Sequence, residues 1–282
     1  MKRIVILLLI ITGLYIVFNQ SFQLDGFMSG GSKEGRATVS QKIDTIEINV
    51  GSVRTTIIPE DRNDVEAVLT GNGSLIVKED GNRLVVETQK KMFNWFAFSE
   101  KRKLKIYIPE DYNRNMNIQL GSGSLDFSGD SMKLNKLSLD IGSGNVNLDH
   151  LEVAEFTHDG SSGNVEIDTL TTKTGTFDLS SGNLDIEHYT GAIHADVSSG
   201  KFSVQMDKLN DSIEIDLSSG NVNLDLPDNA DFSLVGNVSS GNIQSEFPLT
   251  TTSSNKKSLK GTHGSGKHKI DISVSSGDVD IF

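Results

Sequence analysis

Carboxylates recur at one place in this sequence. Four positions before a repeated Gly stand Gln119, Asp140, Asp159, Asp178, Asp196, Asp216, Asn237 and Ser273, so five consecutive units carry Asp. Aligned acids have two uses. They can hold cations, or they can accept hydrogen bonds from nearby N–H groups and cap a corner of the chain. If the units stack about 4.8 Å apart, neighbouring carboxylates repel by roughly 1 kcal/mol in water. Corner hydroxyls, N–H groups or cations should offset that repulsion. Corner capping is the expected role of Asp140, Asp159, Asp178, Asp196 and Asp216, and a cation ladder is the alternative. A second column acts as a control: Asp126, Asn147, Glu166, Asp185, Ser203, Asn223, Gln244 and Asp280 mix acids with neutral groups, as a solvated outward face should. Neither column matches the Gly-Gly-x-Gly-x-Asp calcium coil, and no metal site is expected.

Other chemistry is sparse. The chain has no Cys, which removes thiolate catalysis, thiolate metal sites and disulfides. Its six His (150, 158, 188, 194, 263 and 268) form no helical metal-ligand pair, and no Gly-x-Ser-x-Gly elbow occurs. No catalytic residue and no cofactor are expected. One cluster stands apart: Phe93, Trp95, Phe96 and Phe98 lie between Lys90-Lys91 and Lys101-Arg102-Lys103, and Trp95 is the single Trp. Aromatic rings flanked by cations suit a membrane–water interface or a partner. The plainer reading is a hairpin whose rings cover an adjacent core.

The net charge is −12, and it is unevenly spread. From residue 115 onward there are 10 Lys, no Arg and 24 Asp and Glu. Bulk charge of this sign excludes nucleic acid as a partner. Lack of Arg, the bidentate clamp for carboxylate and phosphate, also argues against a lyase-like polysaccharide enzyme acting on uronates.

The elements that must position these residues follow from a repeat. Apolar-polar-apolar, Ser-Gly, polar, apolar-polar-apolar recurs with its Gly at 123, 144, 163, 182, 200, 220, 241 and 277. Gly182, for example, sits in Leu179-Ser-Ser-Gly-Asn-Leu-Asp-Ile186. A period near 20 residues means stacked supersecondary units. Each unit is two short strands joined at a corner where Gly supplies backbone freedom. A β-solenoid and an antiparallel meander both fit. Identical corner residues favour the solenoid, because stacking rewards like on like. The fold class is therefore all-β: residues 115–282 form about eight coils with Ser-Gly-Asn corners. The polar insertion 248–268 and the terminal Ile281-Phe282 are expected to cap one end. Residues 41–114 form a β-rich head that caps the other.

Ahead of the head, Lys2-Arg3 precede an apolar run from Ile4 to Phe18. No Ala-x-Ala-like cleavage site follows, so residues 1–22 are expected to be an uncleaved transmembrane signal-anchor helix, with cleavage as the alternative. Cations stay inside. The expected address is thus the cell membrane, single-pass, with the C-terminal part on the extracellular side. Gly- and Ser-rich residues 23–40 read as a flexible spacer.

The head-plus-repeat layout, with its Ser-Gly-Asn-apolar-polar-apolar units, resembles the bacterial candidate-adhesin family of β-strand repeats, a domain of unknown function. The resemblance covers roughly residues 43–282. The anchor, size and Cys-free composition are most similar, within it, to a membrane-anchored type encoded in a cell-envelope stress operon of Gram-positive bacteria. The resemblance implies an exported, membrane-attached β-solenoid and supplies no catalytic residue. The expected function is a non-enzymatic scaffold or interaction module whose partner is an envelope protein or cell-wall component. An adhesin or glycan-binding module is the alternative.

Overall fold

Alternating apolar and polar residues give strands whose side chains fall by turns inside and outside. The computed structural model describes residues 33–89, 102–127, 132–255 and 257–282. The expected anchor (1–22), most of the spacer and the aromatic cluster at Phe93, Trp95, Phe96 and Phe98 lie outside the described residues. Regular structure among the described residues is all strand, and no helix there is long and apolar enough to cross a membrane. The end of the expected spacer is instead a strand, β1 (Lys33–Thr38), paired with the head; the head strands proper are β2 (Thr45–Val50), β3 (Arg54–Glu60), β4 (Asp64–Thr70), β5 (Ser74–Asp80), β6 (Arg83–Gln89) and β7 (Lys103–Pro109). The repeats begin with β8 (Asn115–Leu120), β9 (Ser124–Phe127), β10 (Met132–Ile141) and β11 (Asn145–Gly160). They continue with β12 (Asn164–Leu179), β13 (Asn183–Val197), β14 (Lys201–Lys208), β15 (Ile213–Asp225) and β16 (Phe232–Ser245). The last three are β17 (Thr250–Asn255), β18 (Ser258–His263) and β19 (His268–Ile281).

Neighbouring repeats pair in parallel. Asp140 of β10 registers with Asp159 of β11, and Asp159 with Asp178 of β12. Parallel pairing of like with like is the solenoid arrangement, and it excludes the meander. Segments before each corner form a first sheet and segments after it a second. Phe177 of the first and Phe202 of the second meet across the core, with ring centroids 5.3 Å apart. The inward columns are almost wholly apolar, so burial drives coil closure.

The head is built into the same ladders. β2 pairs in parallel with β8 (Ile48 with Ile118), and β3 with β9 (Thr55 with Leu125). β6 and β7 stack beyond β2 and β3 as one more coil. Antiparallel strands β1, β4 and β5 close that end.

The other end corrects one expectation. Hairpin β17–β18 does cover the first-sheet half of β16. The terminal strand β19, however, is not a cap. It inserts between β15 and β16, with Val222 beside Val279 and Val279 beside Ile243. The 36-residue gap between Gly241 and Gly277 holds the excursion that brings the chain back inside its own stack. Ile281 is therefore buried, and the following Phe282 is exposed.

Corners repeat a backbone pattern. Ser181 N–H donates to the Ser161 carbonyl at 2.8 Å and Asn183 N–H to the Gly163 carbonyl at 3.0 Å. Close approach requires Gly at these corners, and at Gly220, Gly241 and Gly277 a positive φ of 153°, 143° and 151° requires it as well. Gly182 has no positive φ, yet a Cβ there would lie 2.4 Å from the Gly163 carbonyl oxygen.

Candidate functional site

Outward residues of the first sheet come from the polar positions of each coil. The Asp column is a physical ladder: Gln119, Asp140, Asp159, Asp178, Asp196 and Asp216 are successive register partners, followed by Ser273 and Asn237. All five carboxylates are exposed. Among the described residues none accepts a side-chain, hydroxyl or backbone hydrogen bond, so the expected corner-capping role is not what they do. The N–H groups of the corner Ser residues and of the residue after each corner Gly are already engaged by carbonyls of the adjacent coil. The pKa of Asp178 is raised, first by partial burial and then by Asp159 and Asp196 on either side. The ladder thus holds like charges close together with only solvent to compensate them. No set of three His, Asp or Glu among the described residues is arranged to hold a metal ion.

The second sheet presents two further columns. Asn145, Asn164 and Asn183 join amide to carbonyl at 3.0 and 2.8 Å, the like-on-like bonding that makes Asn the favoured corner residue. In the mixed column, Asn147 donates to Asp126 at 2.9 Å, and Glu166 and Asp185 follow in register. A shallow groove of about 390 Å³ here is lined by Asn147, Asp149, Glu166, Asp168, Asp185 and Glu187.

The histidines divide. His150, His188 and His194 sit at the surface beside Asp168, Asp207 and Glu214 of the next coil. Asp207 raises the pKa of His188, chiefly through their 2.9 Å hydrogen bond. His158 faces inward and is 2% exposed, in a column that otherwise holds Leu139 and Phe177. Burial pushes its pKa down to about 4, opposed by the Leu139 carbonyl and Asp159, and its Nδ1 has no partner. Its place five residues before Gly163, an inward position, was the available sequence signal. Asp231 gave no such signal. It receives the Lys267 N–H, the Ser265 hydroxyl and the Gly266 N–H, which hold its pKa down to about 2 and pin the loop before β19.

This combination of corner Gly, Asn ladder and Ser pairs extends through residues that one family model matches. That model, Toastrack DUF4097, fits residues 43–282. The chain belongs to this family. The Toastrack match includes the head strands from Ile43 on, consistent with their place in the same stack. Solved structures similar to this Toastrack chain include a candidate adhesin from Bacteroides fragilis, 14% identical over 90% of this chain and 98% of that one, with a TM-score of 0.49. A candidate lipid-binding protein from Parabacteroides distasonis is 18% identical, over 90% and 98% of the two chains, with a TM-score of 0.48. No curated protein matches the chain.

Proposed function

We propose that this Toastrack protein is a non-enzymatic, membrane-anchored extracytoplasmic interaction module, of the LiaG type that serves in the cell-envelope stress response. The single observation behind this reading is the Asp ladder: five exposed, uncompensated carboxylates repeated once per coil along one flat face. Such a face suits an extended envelope partner, protein or cell-wall polymer, better than a small substrate, which needs a concave, enclosed site. The anchor rests on Lys2-Arg3 and the apolar run Ile4–Phe18. An adhesin or glycan-binding module acting through the same exposed face is the second reading.

The test is photo-crosslinking in intact cells, with a crosslinking residue at Asp140, Asp178 or Asp216, and at Lys267 as the off-face control. Defined adducts from the ladder positions, lost on replacing the flanking Asp by Asn, are expected. Protease added to cells without an outer barrier should also remove residues 115–282 and leave a membrane stub. No adduct from any ladder position, or repeats shielded from protease, contradicts the proposal.

A further inference from the structure

The outer face of the second sheet carries both signs of charge in separate blocks. At the head end, Arg54 of β3 registers with Lys103 of β7, and Thr56 with Lys105. All three cations are exposed, and none makes an ion pair or side-chain hydrogen bond among the described residues. Three other head cations are neutralised locally: Arg36 and Arg62 by Asp64 and Glu66, and Arg83 by Glu47 and Asp80. Farther along the Lys105 column the sign reverses at Glu166 and Asp185, with Glu187 beside them, and nothing of opposite charge bonds Glu166 or Asp185; the adjacent Arg54–Lys103 column runs on through the neutral Asn164 and Asn183 to Lys201.

The two blocks cannot satisfy each other within one chain. The column runs Lys105, Thr56, Asp126, Asn147, Glu166, Asp185. Four rungs separate Lys105 from Glu166, roughly 19 Å at about 4.8 Å per rung. That is about two Debye lengths at physiological salt.

We propose that this face is a self-complementary interface for a second copy of the chain. A two-fold axis along the strand direction, between the β9 and β11 rungs, reverses the stack. β3 of one copy then lies over β12 of the other, and β7 over β13. Arg54, Lys103 and Lys105 of each copy meet Glu166, Asp185 and Glu187 of the second, twice over by symmetry, as an isologous contact requires. Six rungs of about five residues cover on the order of 500 Å² per copy, near 1,000 Å² in all, the low end for a specific interface. The dimer is therefore weak and salt-dependent, and screening of the overall negative charge at physiological salt favours it. It is independent of what the Asp ladder on the opposite face binds.

Charge reversal tests this with the full chain in mild detergent, bearing one of two tags. Wild-type copies should capture each other at 0.15 M NaCl, with at least a tenfold loss at 1 M. The head variant Arg54→Glu/Lys103→Glu/Lys105→Glu and the repeat variant Glu166→Lys/Asp185→Lys/Glu187→Lys should each fail to capture themselves. Mixed together they should capture one another, because both contacts then join opposite charges. The Cys-free background adds a second readout that needs little change to the fold. Lys105→Cys on one copy and Asp185→Cys on another, which the two-fold places face to face, should form an intermolecular disulfide on mild oxidation. Lys105→Cys with Lys267→Cys should not. Wild-type chains that do not self-capture overturn the proposal. So do variants that self-capture like wild type, a folded mixed pair that does not associate, equal disulfide yield from both Cys pairs, or head cations that serve only to bind anionic vesicles.

Discussion

Asp178 stands between two like charges, and that decides what its replacement does. Had it capped a corner, Asp178→Asn would weaken the fold. With no hydrogen bond to lose, Asp178→Asn instead relieves repulsion from Asp159 and Asp196. The melting temperature should rise at low salt, and the gain should shrink in 1 M NaCl, as exposed charges are screened. Calcium and chelator should both leave the wild-type melting temperature unchanged, since only a ligand that prefers the folded state shifts stability. A calcium-dependent rise, lost in Asp159→Asn/Asp178→Asn/Asp196→Asn, would establish the cation ladder instead. His158 behaves oppositely to Asp178. Its folded pKa is about 4 against an ordinary 6.5, so the unfolded chain takes up a proton first as pH falls. Its contribution is present above pH 6.5 and is lost between 6.5 and about 4, on the order of 3 kcal/mol in all. His158→Leu, matching Leu139 in the same column, should flatten urea midpoints measured across that window. An unchanged slope would contradict the buried neutral imidazole. The Asp column was legible because the repeat itself aligns it. Its lack of partners was not, because that depends on which corner N–H groups neighbouring coils have already used.

Strands were legible wherever apolar and polar residues alternate, as in Ile46-Glu47-Ile48 and Leu184-Asp185-Ile186, and the corner Gly were legible from their spacing. The physical reason was legible only in part: Gly220, Gly241 and Gly277 do take positive φ, but the others do not. Backbone freedom predicts positive φ, whereas Gly182 is confined by the coil beneath it: a Cβ there would press on the Gly163 carbonyl, and one at Gly200 would come 2.2 Å from the Gly182 carbonyl. Neither carbonyl can retreat, since each also accepts the N–H of the residue after the next corner Gly. Gly182→Ala should therefore cost on the order of 1–3 kcal/mol, and Gly182→Val at least as much. The outward change Glu187→Gln should leave the urea midpoint near wild type. Equal midpoints for Gly182→Ala and Glu187→Gln would show that the corners are not in contact.

At the scale of the whole molecule, the repeat showed that coils stack but not in what order. Sequence neighbours are the natural guess, and that guess holds from β8 to β15. It fails at both ends for one reason: a parallel ladder accepts any strand with the right inward residues. β2 and β3 therefore lie between β6–β7 and β8–β9, and β19 lies between β15 and β16. Asn221, Asp278 and Asn242 make the order measurable, being consecutive rungs of one column although 221 and 242 belong to consecutive repeats. Every outward ladder depends on this stacking. Adjacent rungs, about 4.8 Å apart, suit a disulfide, and rungs about 10 Å apart do not. The decisive measurement is disulfide yield in the Cys-free chain for three double variants under mild oxidation. Asn221→Cys/Asp278→Cys and Asn242→Cys/Asp278→Cys should each close an intramolecular bond in the folded protein, and Asn221→Cys/Asn242→Cys should not. Closure of the 221–242 pair without the other two would contradict the stack and every surface built on it.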